Sequence, residues 1–376
     1  MRILVYEFVT GGGWYTVGSG ESFSPSLLAE GAAMAQALVA DLSRIDGITV
    51  DALRDSRLAQ VDFPAATMHE IGSTADEQAA LARLSAMADG VILIAPEFAG
   101  HLARRAKLVE QAGGRLLGPS SKLVALAADK HALAAHLAAH AVPVPYGVHL
   151  SCGAPLPRDF PYPAVLKPRD GAGSLGVERI TQWFEFSRTP GNDTHGMRST
   201  GGWRLEQFCP GLPASVACLC GPGECLDLAP CRQALASDGR FTYLGGSAPL
   251  SGNIAERARK LAGRAVRSLG QAIGYIGVDL ILGADEAGRE DFVIEINPRF
   301  TTSYVGLRRL AEGNLAEALL AIALGRRGKV GWHEGEVTFD ATGRVEFRPP
   351  ISAECKRPLS NQANPRADEP AEPSSV

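Results

Sequence analysis

The stretch FVIEINPRF, Phe292–Phe300, follows shortly after a second apolar run, GVDLILG, Gly277–Gly283. Both runs are rich in Val, Ile and Leu, and the charged, glycine-containing segment between them is typical of a turn, so the two runs predict neighbouring strands. Side chains alternate along a strand, which places Glu295 and Asn297 on one face of the sheet, with Arg299 two positions further. This pair of strands therefore predicts a sheet with one chemically active face.

The polar residues of these strands suit a metal ion. Asp279 on the first strand would join Glu295 and Asn297, giving two carboxylates and an amide oxygen, the hard ligands that Mg²⁺ prefers. Arg299 could hold a transferred phosphoryl group or an oxyanion. The alternative is an ordinary solvated face, but charge within runs of Val, Ile and Leu is costly to bury without a partner.

A glycine-rich loop lies upstream, in AVLKPRDGAGSLGV. An apolar strand delivers Lys167 and is followed by Gly171, Gly173 and Gly176, whose backbone N–H groups could fold over phosphates while the lysine neutralises their charge. The spacing is not that of a P-loop, and no dinucleotide fingerprint follows the first strand. An ordinary glycine-rich hairpin is the alternative to a phosphate lid.

A strand end lies between these two elements, in LEQFCPG. Glu206, Gln207 and Phe208 precede a break at Pro210 and Gly211. Such a hinge can offer backbone groups to the edge of an adenine and side chains to a ribose, although alone it predicts only the end of a strand.

The first part of the chain alternates strands with helices, which predicts an α/β unit of βαβ type with a parallel sheet. Later segments predict a β-rich middle lobe and a larger C-terminal lobe, followed by a Pro-, Ala- and Ser-rich tail expected to be disordered. The predicted units are residues 1–118, 119–204, 205–348 and the tail 349–376. Expected strands of the first unit are Arg2–Phe8, Ile48–Leu53 and Gly90–Ala95, and its expected helices include Ser26–Ser43 and Thr74–Ala88, with Ser73 or Thr74 as the N-cap.

Composition excludes several classes of protein. The chain has 376 residues, a net charge of −4 and no apolar run of the length that a membrane span needs. We therefore expect a soluble, cytoplasmic protein without nucleic acid or membrane partners. Seven cysteines are an odd number and fit reduced thiols. Four of them, Cys218, Cys220, Cys225 and Cys231, could bind zinc or could be buried thiols on a strand. The absence of paired C-x2-C knuckles favours buried thiols.

The order of these elements resembles the ATP-grasp superfamily over about 120–325, most specifically in the E-I-N-P-R element. The resemblance implies an ATP-grasp fold with an N-terminal parallel-sheet domain, a β-rich lid lobe and a C-terminal lobe with a mixed sheet. It implies ATP and Mg²⁺ or Mn²⁺ as cofactors, and homodimerisation is a superfamily expectation. The implied roles are phosphate contacts for Lys130 and Lys167, with a helix-surface cation as the alternative for Lys130; ribose or adenine contact for Glu206; metal ligation for Asp279, Glu295 and Asn297; and acyl phosphate stabilisation for Arg299.

Three further segments, MRILVYEFVTGGGW, APEFAG and EINPRFTTSYVGL, resemble the tyramine–L-glutamate ligases of methanofuran-type cofactor biosynthesis. That resemblance implies joining the γ-carboxyl of L-glutamate to tyramine through an acyl phosphate. Trp14 and Tyr15 could pack on the phenolic ring and Glu7 or Glu97 could meet its ammonium group, with core packing as the alternative. Arg232 and Gln233 could contact glutamate or the acyl phosphate, or could simply end a strand.

Other functions stay open at this point. Another ATP-grasp amino-acid or dipeptide ligase would share every one of these motifs. A non-catalytic nucleotide-binding regulator or an ATP-dependent kinase would also retain the nucleotide site.

Overall fold

The structure is a computed structural model that describes residues 1–17, 25–171, 174–183 and 201–350. Gly173 lies outside these residues, and so does the expected disordered tail except for its first two residues.

The N-terminal sheet is parallel, as predicted, with strand order β3-β2-β1-β4. Ser73 caps the second helix by accepting a hydrogen bond from the backbone N–H of Asp76, which settles the predicted N-cap. One of the four strands, β3, was not predicted. The elements are β1 (Arg2–Glu7), α1 (Pro25–Leu42), β2 (Thr49–Asp55), β3 (Ala66–Ile71), α2 (Thr74–Met87), β4 (Gly90–Ile94) and α3 (His101–Gln111).

The middle of the chain forms a second sheet that we call the lid sheet. Its strands are antiparallel, in the order β5-β8-β6-β7, and it has a small core of its own that includes Leu166 and Leu205. Two helices precede it and pack on the C-terminal lobe through Leu123 and Leu133. The elements are α4 (Ser121–Ala128), α5 (Lys130–Ala139), β5 (Gly147–Leu150), β6 (Ala164–Pro168), β7 (Glu178–Ile180) and β8 (Trp203–Gln207).

The C-terminal lobe is built on one large sheet, ordered β14-β13-β9-β11-β12-β15-β16, with β10 paired to β9. The family resemblance implied a mixed sheet for this lobe, with both parallel and antiparallel pairs, and that expectation is wrong. Every pairing among its described strands is antiparallel, because short hairpins and returning connections join them. The elements are β9 (Leu212–Cys220), β10 (Cys225–Asp227), β11 (Cys231–Leu235), β12 (Tyr243–Ala248), α6 (Gly252–Ser268), β13 (Gly274–Leu282), β14 (Phe292–Asn297), α7 (Ser303–Leu310), α8 (Leu315–Ala323), β15 (Glu336–Asp340) and β16 (Val345–Arg348).

The N-terminal domain and the C-terminal lobe share a core. A single apolar cluster contains Ile3 and Leu38 from the first domain and Tyr304 and Leu319 from the last lobe. At its edge the buried carboxylate of Asp41, at the end of α1, accepts hydrogen bonds from Tyr304 and Arg308. This packing fixes the N-terminal domain against the large sheet. Among the helices of the described residues, none has the length and apolar character to cross a membrane.

Candidate active site

A cavity of about 240 Å³ lies between the lid sheet and the large sheet. Strands β13 and β14 are antiparallel neighbours, and Asp279 lies directly opposite Glu295. The sequence predicted that these two segments form neighbouring strands. We call the part of the lining formed by Lys130, Asp279, Glu295 and Arg299 its charged end, and the part formed by apolar side chains its apolar end. The apolar lining includes Val165, Phe208, Phe241, Ile281 and Ile294.

Lys167 reaches from the lid sheet toward the large sheet. Its ammonium lies 2.5 Å from Glu206 Oε1 and donates a 3.4 Å hydrogen bond to the carbonyl of Ile294. Arg204, on the same strand as Glu206, donates from Nε to Glu206 Oε2 at 2.8 Å. All three charged side chains are buried, so two cations share one carboxylate and the set carries a net positive charge. Such a set suits an anionic ligand.

Lys130 is not a helix-surface cation, because its side chain is only 6% exposed. Its ammonium donates to Glu295 Oε1 at 2.5 Å and to the carbonyl of Gly171 at 2.8 Å. The side chain of Asp129 caps α5 by accepting two backbone N–H bonds, which fixes the position from which Lys130 leaves the helix. The lysine thus connects the glycine-rich loop to β14.

Asp279 is held by two amide side chains. Gln233 donates to its Oδ1 and Asn297 donates to its Oδ2, both at 2.9 Å. Burial, followed by the charge of Glu295, raises the pKa of Asp279 to about 7. Two carboxylates in such surroundings attract a cation, and the amide oxygen of Asn297 is left as a further acceptor.

The donor set fits Mg²⁺, with the nucleotide's phosphates supplying further oxygens. Within the described ranges, no group of three His, Cys, Asp or Glu side chains is arranged to hold a metal ion by itself. The proposed metal site therefore depends on the amide of Asn297 and on oxygens of the substrate. Mg²⁺ ions that bind together with a nucleotide are commonly held in this way, by a few protein ligands and by the phosphates.

Arg299 leaves β14 at the charged end of the cavity and meets a residue of the N-terminal domain. Its Nε lies 2.9 Å from Glu97 Oε1, and its Nη2 donates to Glu97 Oε2 at 3.0 Å. The side chain of Glu97 is only 2% exposed, and Arg299 supplies the positive charge that compensates its buried carboxylate. The pair brings the APEFAG and EINPRF segments together.

Glu30 lines the cavity and was not found from the sequence. Glu30 comes from α1 of the N-terminal domain, and burial raises the pKa of its carboxyl, while the charge of Arg299 opposes that rise. Tyr243, the first residue of β12, also lines the cavity, and burial likewise raises the pKa of its hydroxyl. No local motif marks Glu30, because an acidic residue on a half-buried helix resembles any solvated side chain.

The predicted hinge lines the cavity through three consecutive residues. Glu206 is buried, Gln207 is exposed, and Phe208 stacks on Phe241 with ring centroids 6.1 Å apart. The guanidinium of Arg179 lies 4.3 Å from the Phe208 ring centroid. Flat apolar surfaces beside a strand end suit a purine base.

Other predicted substrate residues do not line the cavity. Trp14 is buried in the core of the N-terminal domain beside Phe8, and Tyr15 packs under the guanidinium of Arg57. Glu7 is buried and accepts the backbone N–H groups of residues 9 and 10, which gives it a turn-forming role. Arg232 is exposed on the face of β11 opposite to Gln233, because neighbouring residues of a strand point in opposite directions. Of these predicted residues, only Gln233 reaches the cavity.

Three of the four clustered cysteines have the buried environment that the alternative to zinc binding predicts. Cys218, Cys220 and Cys231 are buried, in agreement with the plainer interpretation. Cys225 is exposed, contrary to it, and its sulfur lies 3.0 Å from that of Cys220.

Comparison with known proteins matches two consecutive segments of the chain to domain families. Residues 127–303 match the ATP-grasp domain family, and residues 48–124 match the pre ATP-grasp 3 domain. A tyramine–L-glutamate ligase from Methanocaldococcus fervens is 25% identical over 91% of this chain and 98% of its own length.

Solved structures share the fold at lower identity. The biotin carboxylase domain of a 2-oxoglutarate carboxylase from Hydrogenobacter thermophilus, in complex with MgADP, ADP and bicarbonate, has a TM-score of 0.66 and 17% identity, covering 90% of this chain and 73% of that one. An L-amino acid ligase from Bacillus licheniformis has a TM-score of 0.65 and 17% identity, covering 90% of this chain and 78% of that one. The chain therefore combines a pre ATP-grasp 3 domain with an ATP-grasp domain, has the ATP-grasp fold and resembles the tyramine–L-glutamate ligases.

Proposed function

We propose that this protein is an ATP-dependent carboxylate–amine ligase that joins the γ-carboxyl of L-glutamate to tyramine in methanofuran-type cofactor biosynthesis. The observation that carries the proposal is the convergence of Lys130, Lys167, Asp279, Glu295 and Arg299 on one cavity with an apolar end. The substrate pair rests on the curated relative, which spans nearly the whole chain.

The apolar end is assigned to adenine, with the hinge Glu206–Phe208 at its edge. Lys167 and Lys130 would contact the phosphates, and Gly171 and Gly173 belong to the loop that would cover them. Asp279, Glu295 and Asn297 would hold Mg²⁺ or Mn²⁺, which when bound neutralises phosphate charge and orients the transferred group.

Arg299 is assigned to the reacting carboxyl. A guanidinium offers two parallel N–H donors, which fit the oxygens of a carboxylate, of an acyl phosphate and of the oxyanion that forms when the amine attacks. Catalysis would then come from positioning and charge, because the carboxylate oxygen attacks the γ-phosphorus of ATP and the amine displaces phosphate without a protein nucleophile.

Glu30 is assigned to the ammonium group of the amine substrate. It lines the same cavity as Arg299 and is the acidic group that the N-terminal domain contributes to the lining. A carboxylate in partly buried surroundings binds a cation more strongly than one in water. As a neighbour of the reacting centre it could also accept the proton that the amine loses.

The proposal is tested by measuring ADP release from Mg-ATP with L-glutamate, with and without tyramine, followed by mass analysis of the product. We expect γ-glutamyltyramine only when all components are present. ADP release that does not need an amine would instead indicate a kinase. Turnover with other amino acids, but not with tyramine, would indicate another amide ligase of the same superfamily.

A further inference from the structure

A cluster of thiols lies on the large sheet, outside the proposed ligase site. Cys220 ends β9 and Cys225 begins β10, and the two residues are direct partners in the antiparallel register. Their sulfur atoms are 3.0 Å apart. Cys218 lies two residues before Cys220 on the same face of β9, and it lines the same small cavity as Cys225.

The backbone around the pair is tightly held. Residues 221–224 form the turn between the strands, in which the N–H of Gly221 donates to the carbonyl of Glu224. Gly221 packs so closely on α8 that an added Cβ would lie 1.9 Å from the carbonyl oxygen of Ile322. Opposed residues of an antiparallel pair have Cα atoms about 4.5–5.5 Å apart, which is within the range that a disulfide spans. The two sulfurs can therefore bond with little movement of the strands.

The two thiols differ in accessibility and in environment. Cys225 is exposed, whereas Cys220 is buried. Hydrogen bonds from Cys218 and Cys220, together with the charge of Arg267, lower the pKa of the Cys225 thiol. The thiolate is the reactive form of cysteine, so these contacts favour Cys225 as the attacking group.

A cavity of about 330 Å³ opens beside Cys225. Helix α6 lines it with Arg259, Lys260 and Arg267, which outnumber the acidic groups Asp227 and Glu256. Arg259 forms an ion pair with Asp227 at 3.3 Å, which leaves an excess of positive charge at the rim. A small anionic reagent is the reactant that such a rim favours.

We propose that Cys220 and Cys225 form a dithiol site that a low-molecular-weight anionic disulfide oxidises to a disulfide across the β9–β10 hairpin. The Cys225 thiolate attacks one sulfur of the reagent, forming a mixed disulfide and releasing the first thiolate. The Cys220 thiol loses its proton and attacks the Cys225 sulfur, expelling the second thiolate. Two protein thiols are oxidised, the reagent is reduced to two thiols, and the released thiolates take up protons.

The test uses the full-length protein, oxidised glutathione as the probe and peptide mapping without reduction. We expect a Cys220–Cys225 linkage and no glutathione retained on either of these two residues. Cys220→Ser should instead retain glutathione on Cys225, and Cys225→Ser should form neither product. Cys152→Ser is the matched control, since Cys152 is exposed elsewhere on the surface, and it should react as the unmodified protein does.

Rates give a second readout that does not depend on any variant being folded. The first modification of Cys225 in the unmodified protein should be about tenfold faster than that of Cys152, since a higher thiolate fraction outweighs lower intrinsic nucleophilicity. Oxidised glutathione should also react faster than neutral 2-hydroxyethyl disulfide. A predominant Cys218–Cys225 linkage, equal rates at Cys225 and Cys152, or no linkage at all would overturn the proposal, whatever the ligase assay shows.

Discussion

Arg299 is the residue on which the proposed chemistry depends most directly. Its ion pair with Glu97, in which Nη2 donates a hydrogen bond and Nε lies close to the second carboxylate oxygen, shows a guanidinium that already faces a carboxylate. Lysine keeps the charge but loses this geometry.

Replacing Arg299 with Lys should therefore lower kcat by about 10²-fold while leaving nucleotide affinity almost unchanged. Steady-state kinetics and ADP titration measure the two effects. Glu97→Gln is the control, because it removes the partner of Arg299 but keeps the guanidinium. An equal loss of kcat in both variants would mean that Arg299 acts only through its ion pair.

Glu30 gives a prediction that separates substrate binding from nucleotide binding. Glu30→Gln should raise KM for the amine about tenfold, because a charged hydrogen bond contributes roughly 1.5–3 kcal/mol, and should leave ADP affinity unchanged. Asp46→Asn, an exposed acid that follows the same helix, should change neither constant. An unchanged amine KM in Glu30→Gln would exclude Glu30 from the amine site.

The pH dependence of the same variant has a defined sign. Burial raises the pKa of Glu30, so its charged form is lost as the pH falls through a value above the usual range for glutamate. The amine kcat/KM should therefore fall on the acidic side in the unmodified protein. Glu30→Gln should lose the part of this acidic limb that Glu30 contributes and keep only the part that belongs to Asp279, whose pKa is raised to about 7. A limb unchanged by Glu30→Gln would exclude Glu30 as its source.

At the scale of single elements, local patterns predicted much of the structure. The strand Phe292–Asn297 has the predicted bounds, and the expected helix 26–43 is observed one residue earlier, because apolar periodicity and caps act over a few residues. Several elements were missed, among them α4, α7, α8, β15 and strand β3. Strand β3 is partly exposed along most of its length, so it lacks a buried strand's apolar signal.

Gly245 lies in β12, the strand of the large sheet that also carries Tyr243 into the lining of the cavity. Its φ is +136°, and an added Cβ would lie 2.1 Å from the carbonyl oxygen of Phe339 in β15. Gly245→Ala should destabilise the protein by at least about 2 kcal/mol, because the backbone would be strained and β15 displaced. Urea unfolding measures this effect. Gly313→Ala, at an exposed position with open space around it, should be nearly neutral.

At the scale of the whole molecule, the cavity depends on how its parts meet. Glu30 and Glu97 come from the N-terminal domain, whereas Arg299 comes from the last lobe. The motif set in the ATP-grasp region could be found from the sequence because its residues lie in strands with recognisable patterns. Contacts between distant elements depend on packing of the domains, which no local pattern encodes, so Glu30 was missed and the sequence left Trp14 open between a substrate contact and the core packing that is observed.

Asp41 tests this packing. Its buried carboxylate binds Tyr304 and Arg308, both from α7, and its backbone carbonyl accepts from Asn314. Asp41→Ala should cost about 3–5 kcal/mol, because it leaves Arg308 unpaired in a partly buried position. Denaturant unfolding should still show one transition, since the two parts share a core.

The matched control is Arg44→Ala. Arg44 lies 3.8 Å from Asp41 but is largely exposed, so its removal should change the free energy of unfolding by less than about 1 kcal/mol. Comparable losses from Asp41→Ala and Arg44→Ala would contradict the assigned role of the buried network.

The contact between Lys130 and Glu295 has a consequence for the order in which ligands are added. A divalent ion that takes Glu295 must compete with an ammonium group 2.5 Å away. The displaced lysine needs a new counter-ion, and a triphosphate supplies one. Metal and nucleotide should therefore stabilise each other's binding, and the nucleotide acts as the carrier that brings the metal into the site.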